Sequence, residues 1–437
     1  MSKVQKGFRP FLGTTFLIGF GFFTMGLMDP LYDTYVPIFL GKYIRSMGIV
    51  GSIMTLDNIF ALFLIPIVAV WSDKTRTPIG RRMPFILVTL PLTAISFAWL
   101  PYAAAASFST LIVAIFLVNV WKQSARGPVV ALMPDIVPGE YRSEANGVIN
   151  TMGGIASIVG TLGLARLMDL DITLPVLGSS KGRLPFPIAG GLVVAAVLLL
   201  FAFVREKGTG QASPESRVPL RESLSAIAGN EDKSALLILV SLFLWFLGYQ
   251  GVLPFIGKYS IEALGVSQGR AAFAAGMVGI AYALFAIPSG YIAHRIGRKR
   301  AIRIALAALT VLVSLLFFLD PLASALGLGG TSKVYLFWGI LFLFGLFWVT
   351  VVTNSFPMLW QMSRYGNVGI YTGLYYTFSQ GAAILSPPIT GGIIDLSGYR
   401  GIFAFCAVCM AAAFMVMGYV RSGEPAGNSA GSEARPS

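Results

Sequence analysis

Twelve apolar stretches of about 20 residues recur along the 437-residue chain and constrain its fold more than any other feature. A helix rises about 1.5 Å per residue, so each stretch is long enough to cross a hydrocarbon core about 30 Å thick. Strands of a membrane barrel would show shorter segments of alternating polarity. We therefore predict an all-α membrane protein with twelve transmembrane helices, over residues 11–38, 47–71, 84–104, 108–134, 144–168, 187–204, 235–257, 269–293, 301–320, 333–358, 368–394 and 400–420.

The distribution of charge predicts how the helices are oriented in the membrane. The chain is 56% hydrophobic and only 12% charged, which excludes a soluble globular protein. Its formal net charge of +13 would suit a nucleic-acid partner, but most Lys and Arg residues fall in alternate loops and at both chain ends. Lys and Arg favour cytoplasmic loops. We predict a multi-pass protein of the cell membrane with both termini cytoplasmic and no nucleic-acid partner.

The chain divides into two six-helix halves. Residues 1–204 and 235–421 each contain six predicted spans, and residues 205–234 between them are rich in Arg, Lys, Glu, Ser and Pro, as in a cytoplasmic linker. Residues 422–437 have the composition of a disordered tail.

The halves also share a local pattern. Pro66 is followed seven residues later by Asp73, and Pro288 is followed seven residues later by Arg295; both pairs lie at the inner end of the second helix of their half. This spacing indicates a duplication. Transporters built from such repeats hold their substrate where the repeats meet.

Two segments carry a resemblance to a known family. Residues 72–84 read Ser-Asp-Lys-Thr-Arg-Thr-Pro-Ile-Gly-Arg-Arg-Met-Pro, which resembles the loop between helices 2 and 3 of the major facilitator superfamily. The lengthened form of this loop is similar to that of the glycoside-pentoside-hexuronide:cation symporters and the related sucrose/proton symporters. Residues 126–135, Arg-Gly-Pro-Val-Val-Ala-Leu-Met-Pro-Asp, resemble helix 4 of the sucrose-type symporters. The resemblance implies the major facilitator fold, with two six-helix bundles.

In that family the loop belongs to a gate and does not bind substrate. A short loop with a sharp glycine turn and several cations stays on the inner side, and a neighbouring carboxylate can hold it against a helix end. The resemblance therefore implies gate roles for Asp73, Arg76, Gly80, Arg81, Arg82, Asp135, Arg142, Arg295, Gly297 and Arg298.

Five ionisable residues lie inside predicted helices: Asp29 and Asp33 in the first, Asp57 in the second, and Lys122 and Arg126 in the fourth. Charge at that depth is costly and normally faces a water-filled path. Residues four apart share a helix face, so Asp29 and Asp33 form one charged stripe and Lys122 and Arg126 form another. Three carboxylates exceed two cations, and an unpaired buried carboxylate tends to take up a proton. We predict that the three aspartates couple transport to protons; the alternative is an ion-pair cluster that only fixes helix packing.

The identity of the coupling ion is predicted from where the sequence departs from its resemblance. The sodium-binding carboxylates of melibiose-type permeases would fall at Ala61 and Ile65, and the only acid nearby is Asp57. The helix-4 aspartate of the sucrose-type symporters is replaced by Asn119, and an arginine by Val130. We favour protons over sodium and predict no bound cofactor or metal.

Aromatic and amide side chains indicate the substrate class. Sugars offer apolar C–H faces and hydroxyl rims, which suit aromatic rings next to hydrogen-bonding groups. The alternative for the rings is a position against lipid or in the interfacial belt. The predicted substrate-binding residues are Tyr32, Asn119, Lys122, Arg126, Tyr249, Gln250, Asn354, Tyr375, Tyr376 and Gln380.

Enzyme chemistry has little support. The only histidine, His294, lies beside Arg295 at a predicted helix end, and there is no zinc-ligand spacing, nucleophile elbow or phosphate-binding Gly-Lys-Ser/Thr loop. We predict a secondary transporter of a small molecule that works as a monomer in a lipid bilayer, and not an enzyme. The leading hypothesis is proton-coupled symport of a sugar or glycoside by alternating access. The alternative is a proton-coupled efflux antiporter for amphipathic compounds or organic anions.

Overall fold

The computed structural model describes residues 9–138, 141–174, 178–206, 232–361 and 368–422. Within them the predicted all-α fold is confirmed, and each of the twelve predicted spans coincides with a helical segment of membrane length. Eleven of these segments are apolar and long enough to cross a bilayer. In chain order the twelve are α1 Arg9–Leu40, α2 Met47–Lys74, α3 Met83–Ala106, α4 Phe108–Ile136, α5 Arg142–Ile158 with its continuation to Met168, α6 Pro185–Phe203, α7 Ser234–Leu264, α8 Gln268–Ile296, α9 Arg298–Phe317, α10 Thr331–Gln361, α11 Val368–Ser397 and α12 Gly401–Gly418.

A serine cap and a glycine turn set two of the helix boundaries. Ser107 alone separates α3 from α4, and it forms a capping box in which its side chain accepts from the Thr110 amide while the Thr110 hydroxyl accepts from the Ser107 amide. Gly297 separates α8 from α9 with a φ of 91°, a value that only glycine adopts without strain. These signals account for the tight turns at both places.

Two helices are interrupted near their start. The α-helical part of α2 stops at Met54 and resumes at Leu56, which leaves Thr55 between the two parts and Asp57 in the first turn of the second part. Helix α8 is interrupted in the same way at Ala272. Neither break was predicted from the sequence.

The segment that joins α5 to α6 departs from regular α-helix. Helix α5 continues as a π-helical turn over Val159–Gly163 and a 3₁₀ turn over Leu164–Met168. A two-residue antiparallel hairpin follows, with β1 at Thr173–Leu174 and β2 at Gly178–Ser179. It is a small addition to the predicted all-α fold.

The chain forms two compact units, and each contains a short piece from the other half of the sequence. The first unit comprises the described residues of Met1–Arg45, Leu56–Ser213 and Ser260–Gly276. The second unit comprises the described residues of Ser46–Thr55, Pro214–Tyr259 and Met277–Ser437. Most of the predicted linker and all but the first residue of the predicted tail lie outside the described residues.

Each unit has its own aromatic core. In the first unit Phe186 packs against Phe97 with ring centroids 5.0 Å apart, and both rings are fully buried. In the second unit Tyr259 packs against Phe403 at 5.0 Å and Phe337 at 5.6 Å. Large rings of this kind bury much apolar area and fix the helices that carry them.

In the second unit, Asp395 from the last turn of α11 caps the start of α2. Its carboxylate accepts hydrogen bonds from the Ser46 hydroxyl at 2.6 Å, the Met47 amide at 2.7 Å and the Gly48 amide at 3.0 Å. A carboxylate satisfies the unpaired amides of a helix N-terminus and complements its dipole. This contact binds the Ser46–Thr55 segment to the second unit.

In the first unit, Asp169 makes the corresponding contact. It follows α5, the fifth helix of its half, as Asp395 ends the fifth helix of the other. Its carboxylate accepts from the Ser267 hydroxyl at 2.6 Å and the Gly269 amide at 2.9 Å, at the start of α8. The two caps therefore occupy equivalent places in the two halves.

Candidate functional site

Three of the charged residues predicted from the sequence meet in the first unit. Lys122 of α4 places its Nζ 3.0 Å from Oδ1 of Asp29 on α1 and 3.8 Å from Oδ2 of Asp57 on α2. The Lys122 side chain is 4% exposed, whereas that of Asp29 is 36% exposed. A buried ammonium requires such partners, because an unpaired charge inside the protein is strongly disfavoured. One cation thus bridges carboxylates from two other helices.

Tyr32 and Asn119 form a second layer beside this ion pair. The Asn119 amide nitrogen donates to the Tyr32 hydroxyl at 2.7 Å and to the Ile115 carbonyl at 2.9 Å. The Nζ of Lys122 lies 5.0 Å from the centroid of the Tyr32 ring, within cation–π range. The buried Oδ1 of Asn119 has no hydrogen-bond partner in the described part of the chain.

Asp33 and Arg126 lie on the same helices but outside the bridged set. Asp33 is half-buried and Arg126 is exposed. Among the described residues neither side chain forms a hydrogen bond or a salt bridge. The structure thus joins Asp29, Asp57 and Lys122 directly, and it leaves one carboxylate and one guanidinium without a direct partner there.

Gln123 is a buried polar residue that the sequence analysis missed. Its side chain is on α4, four residues after Asn119 and so on the same helix face. The residue is 1% exposed, and neither its amide nitrogen nor its amide oxygen has a hydrogen-bond partner within the described residues. An amide inside a predicted span, spaced four residues from another amide, was a signal in the sequence. Unsatisfied buried amides of this kind suit a bound water or a polar ligand.

The second unit holds the aromatic candidates. Tyr249 of α7 stacks on Trp348 of α10 with centroids 4.2 Å apart and planes 16° from parallel. Tyr375 of α11 contacts the Phe356 ring edge-to-face at 4.4 Å, and its hydroxyl lies 3.4 Å from the Ser355 hydroxyl. Tyr249 and Tyr375 were predicted from the sequence, but Trp348 was not.

The other four candidates in this unit are less closely grouped. Asn354 is buried and donates to the Thr350 carbonyl at 2.8 Å, a bond within its own helix. Gln250 and Gln380 are half-buried. Tyr376 is 59% exposed, with its ring 5.9 Å from that of Tyr375.

The loop between α2 and α3 forms an ion-pair cluster with the end of α4. Asp135 accepts from Arg81 at 2.6 Å and from Arg82 at 2.9 Å. Arg82 is 4% exposed and also forms a salt bridge with Asp73. The predicted gate residues Asp73, Arg81, Arg82 and Asp135 therefore lie together.

Glu206 completes this cluster and was missed, because it lies just past α6 in a stretch with linker composition. Its carboxylate accepts from the Arg82 amide at 2.8 Å and lies 3.5 Å from Nε of Arg81. Gly80 has a φ of 110°, which favours glycine. A Cβ at this position would also lie 2.2 Å from the Glu206 carboxylate, so both the backbone conformation and the contact require glycine. Burial lowers the pKa of Arg81, but the hydrogen bond and charge of Asp135, with the charges of Asp73 and Glu206, outweigh it and raise that pKa.

The remaining gate candidates have separate surroundings. Arg76 donates to the carbonyls of Asp73 and Thr75 within its own loop. The Arg295 guanidinium lies 4.6 Å above the Tyr291 ring. Gly297 and Arg298 form the turn into α9, and the side chain of Arg142 lies outside the described residues.

A resident metal has no evident ligand set. Within the described residues, no group of three or more His, Cys, Asp or Glu side chains is arranged to hold a metal ion.

Comparison with known proteins decides the family. The family model described as Major Facilitator Superfamily matches residues 13–380, most of the chain. The chain belongs to the major facilitator superfamily. As a member of this family of transporters, it is a multi-pass membrane protein and not an enzyme. The predicted fold and the broad family resemblance are confirmed.

Two known proteins are similar to parts of this chain. The sucrose transport protein SUC3 of Arabidopsis thaliana is 27% identical over 145 residues, which are 28% of this chain and 24% of that protein. A protein named as a putative tartrate transporter of Agrobacterium vitis is 27% identical over 184 residues, which are 41% of this chain and 37% of that protein. The chain thus matches well under half the length of either relative.

Solved structures of other superfamily transporters share the fold. The nucleoside transporter NupG has a TM-score of 0.70 at 14% identity, with 93% of this chain and 99% of that chain covered. A D-xylose-proton symporter has a TM-score of 0.67 at 13% identity, with 94% and 98% covered. At such low identity these likenesses establish the superfamily fold alone.

Proposed function

We propose that this transporter carries a sugar or glycoside by proton-coupled symport with alternating access. The observation that carries the proposal is the bridge from Lys122 to Asp29 and Asp57, with Asp33 outside it. Asp29, Asp33 and Asp57 lie inside membrane-spanning helices, and Lys122 is the one buried cation among the charged residues predicted there. Excess negative charge in a low-dielectric region is relieved most simply by binding a proton.

The proton has a direct effect on the hydrogen bonds of Lys122. When Asp29 or Asp57 is ionised, the ammonium is held by that carboxylate. Protonation removes the charge of the carboxylate and releases donor capacity on Nζ, which has three N–H groups. A substrate hydroxyl can then accept from Lys122. Binding of proton and substrate would thereby favour each other, as symport requires.

Unsatisfied polar groups support a hydroxylated substrate. Oδ1 of Asn119 and the side-chain amide of Gln123 have no hydrogen-bond partner in the described part of the chain, so they offer two acceptors and a donor. A sugar hydroxyl donates and accepts at once, so it matches such groups. The stacked rings of Tyr249 and Trp348 in the second unit are of the type that packs against sugar C–H faces. Similarity to part of a sucrose transport protein favours the same class.

An organic anion is the second candidate substrate. Arg126 is exposed and forms no hydrogen bond or salt bridge among the described residues, so its guanidinium is available to a carboxylate. The similarity to a protein named as a putative tartrate transporter points the same way. For an organic anion, proton-coupled efflux is the alternative to uptake.

Coupling to protons is favoured over coupling to sodium. A sodium site needs several converging oxygen ligands, whereas Asp29 and Asp57 already face an ammonium.

We further propose that both termini are cytoplasmic and that the monomer is the working unit. Reactivity of single cysteines placed near each end toward an impermeant thiol reagent in intact cells tests the orientation.

Transport into liposomes tests the proposed function. Purified protein is reconstituted, and uptake of labelled saccharides and dicarboxylates is measured under an imposed pH gradient and, separately, a sodium gradient. Accumulation of a saccharide only under the pH gradient is the expected result. Accumulation of a dicarboxylate that depends on Arg126 would favour the second candidate. Expulsion of amphipathic dyes without saccharide uptake would contradict symport.

A further inference from the structure

A cavity at the edge of the second unit is separate from the residues discussed as substrate candidates. It has a volume of about 520 Å³ and opens where α9 begins and α12 ends. Its lining combines three cations with apolar side chains: Lys299, Arg300, Arg303, Ile304, Ala307 and Phe414. We call it the α9–α12 groove.

The cations of the groove are arranged to meet an anion. The Arg303 guanidinium lies 4.8 Å above the Phe414 ring, and its Nε is buried without a hydrogen-bond partner in the described residues. Arg300 is exposed, and within the same residues neither arginine forms a salt bridge. Lys299 donates to the Gly418 carbonyl at 3.1 Å, which keeps its ammonium at the mouth of the groove. Two guanidinium groups therefore lack a counterion in the described structure.

An exposed apolar strip continues from these cations along α9. Ile304, Ala307 and Val311 recur at three- and four-residue spacing, so they share one helix face. Ile304 is 51% exposed and Val311 is 59% exposed. From Arg300 to Val311 the helix rises by about 16 Å, comparable to much of one bilayer leaflet. The groove thus has a basic end and an apolar extension in the direction of a membrane-spanning helix.

We propose that the α9–α12 groove binds an anionic phospholipid. The phosphate lies between Arg300 and Arg303, because guanidinium groups bind phosphate oxygens in a bidentate manner. One acyl chain lies along Ile304, Ala307 and Val311. Basic pockets next to transmembrane helices attract anionic headgroups more strongly than zwitterionic ones. A free phosphate would use the same arginines but not the apolar strip.

Lipid binding to the purified full-length protein tests this proposal. The protein in detergent is titrated with phosphatidylglycerol or phosphatidylcholine, and bound lipid is counted by native mass spectrometry. The test variants are Arg300→Gln, Arg303→Gln and the pair together. The control is Arg295→Gln, which removes the same single charge as each single variant, from a guanidinium in the same unit that stacks on Tyr291 and does not line the groove.

The expected result is preferential binding of phosphatidylglycerol, weakened about 10- to 30-fold in the double variant and unchanged in the control. Arg300 is exposed, so the single variant Arg300→Gln should fold normally and can be used if the double variant is unstable. Its affinity for phosphatidylglycerol should fall about fivefold. Equal binding of both lipids, or equal loss in the Arg295 control, would refute the groove as an anionic-lipid site. Displacement of the lipid by millimolar inorganic phosphate would instead indicate a simple phosphate site and also refute the proposal.

Discussion

Lys122 forms a 3.0 Å salt bridge with Asp29, although 93 residues separate them in the sequence. Its Nζ also lies 3.8 Å from Asp57, so three helices of the first unit depend on one ammonium. The arrangement gives Lys122 both a packing role and a role in the proposed proton switch. These roles can be separated by substitution.

Lys122→Met should lower stability and abolish transport, since it leaves two carboxylates without their shared cation. We expect a loss of about 1–3 kcal/mol, less than for a fully buried pair because Asp29 is partly exposed. Lys122→Arg keeps the charge and should lose much less stability. Thermal unfolding in detergent and liposome uptake measure the two effects. A Met variant that unfolds and transports like the wild type would rule out both roles.

Asp135→Asn should destabilise the cluster around the α2–α3 loop by about 1–2 kcal/mol, because one carboxylate accepts hydrogen bonds from both Arg81 and Arg82. Asp73→Asn is the matched control. Its side chain is 38% exposed, so the expected loss is below about 1 kcal/mol. Unfolding temperatures of the two variants give the comparison. Equal losses would show that Asp135 is not the centre of the cluster.

Gly80→Ala should be destabilising by about 1–3 kcal/mol, because the residue has a positive φ and a Cβ would collide with Glu206. Gly290→Ala is the control, since a Cβ at that helical position meets nothing within 4 Å. The control should be neutral or slightly stabilising. If both alanine variants unfold at the same temperature, the close contact between Gly80 and Glu206 is not required.

Asp395→Ala should destabilise the second unit by about 1–2 kcal/mol, because it removes three hydrogen bonds from the start of α2. Asp171→Ala removes an exposed carboxylate that accepts one bond, from Ser179. Thermal unfolding should therefore shift far less in that control. Faster hydrogen exchange at Met47 and Gly48 in the Asp395 variant would identify the cap itself as the cause, and unchanged exchange would contradict it.

Hydropathy predicted the twelve helices because each must satisfy its backbone hydrogen bonds internally within a bilayer. It did not predict the break at Thr55, where the sequence has neither glycine nor proline. The break coincides with the point where α2 passes from one compact unit to the other. Such an interruption depends on tertiary packing, which local sequence does not contain.

The candidate site could likewise be predicted only in part, because its side-chain pairs also depend on tertiary packing. Charges inside apolar runs are conspicuous, so Asp29, Asp57 and Lys122 were predicted, but their pairing depends on helix rotation. Glu206 lies in a polar stretch, where one more acid carries no signal. Trp348 is one ring among many in a chain that is 13% aromatic, and only its stack on Tyr249 distinguishes it.

The most direct test compares pH-driven uptake with substrate exchange in liposomes for Asp29→Asn, Asp33→Asn and Asp57→Asn. A neutral asparagine mimics a protonated carboxylate and cannot release a proton. We predict that at least one variant loses accumulation driven by a pH gradient but still exchanges labelled for unlabelled substrate at equal pH. If all three variants accumulate substrate under the gradient as the wild type does, the proposed proton switch is wrong.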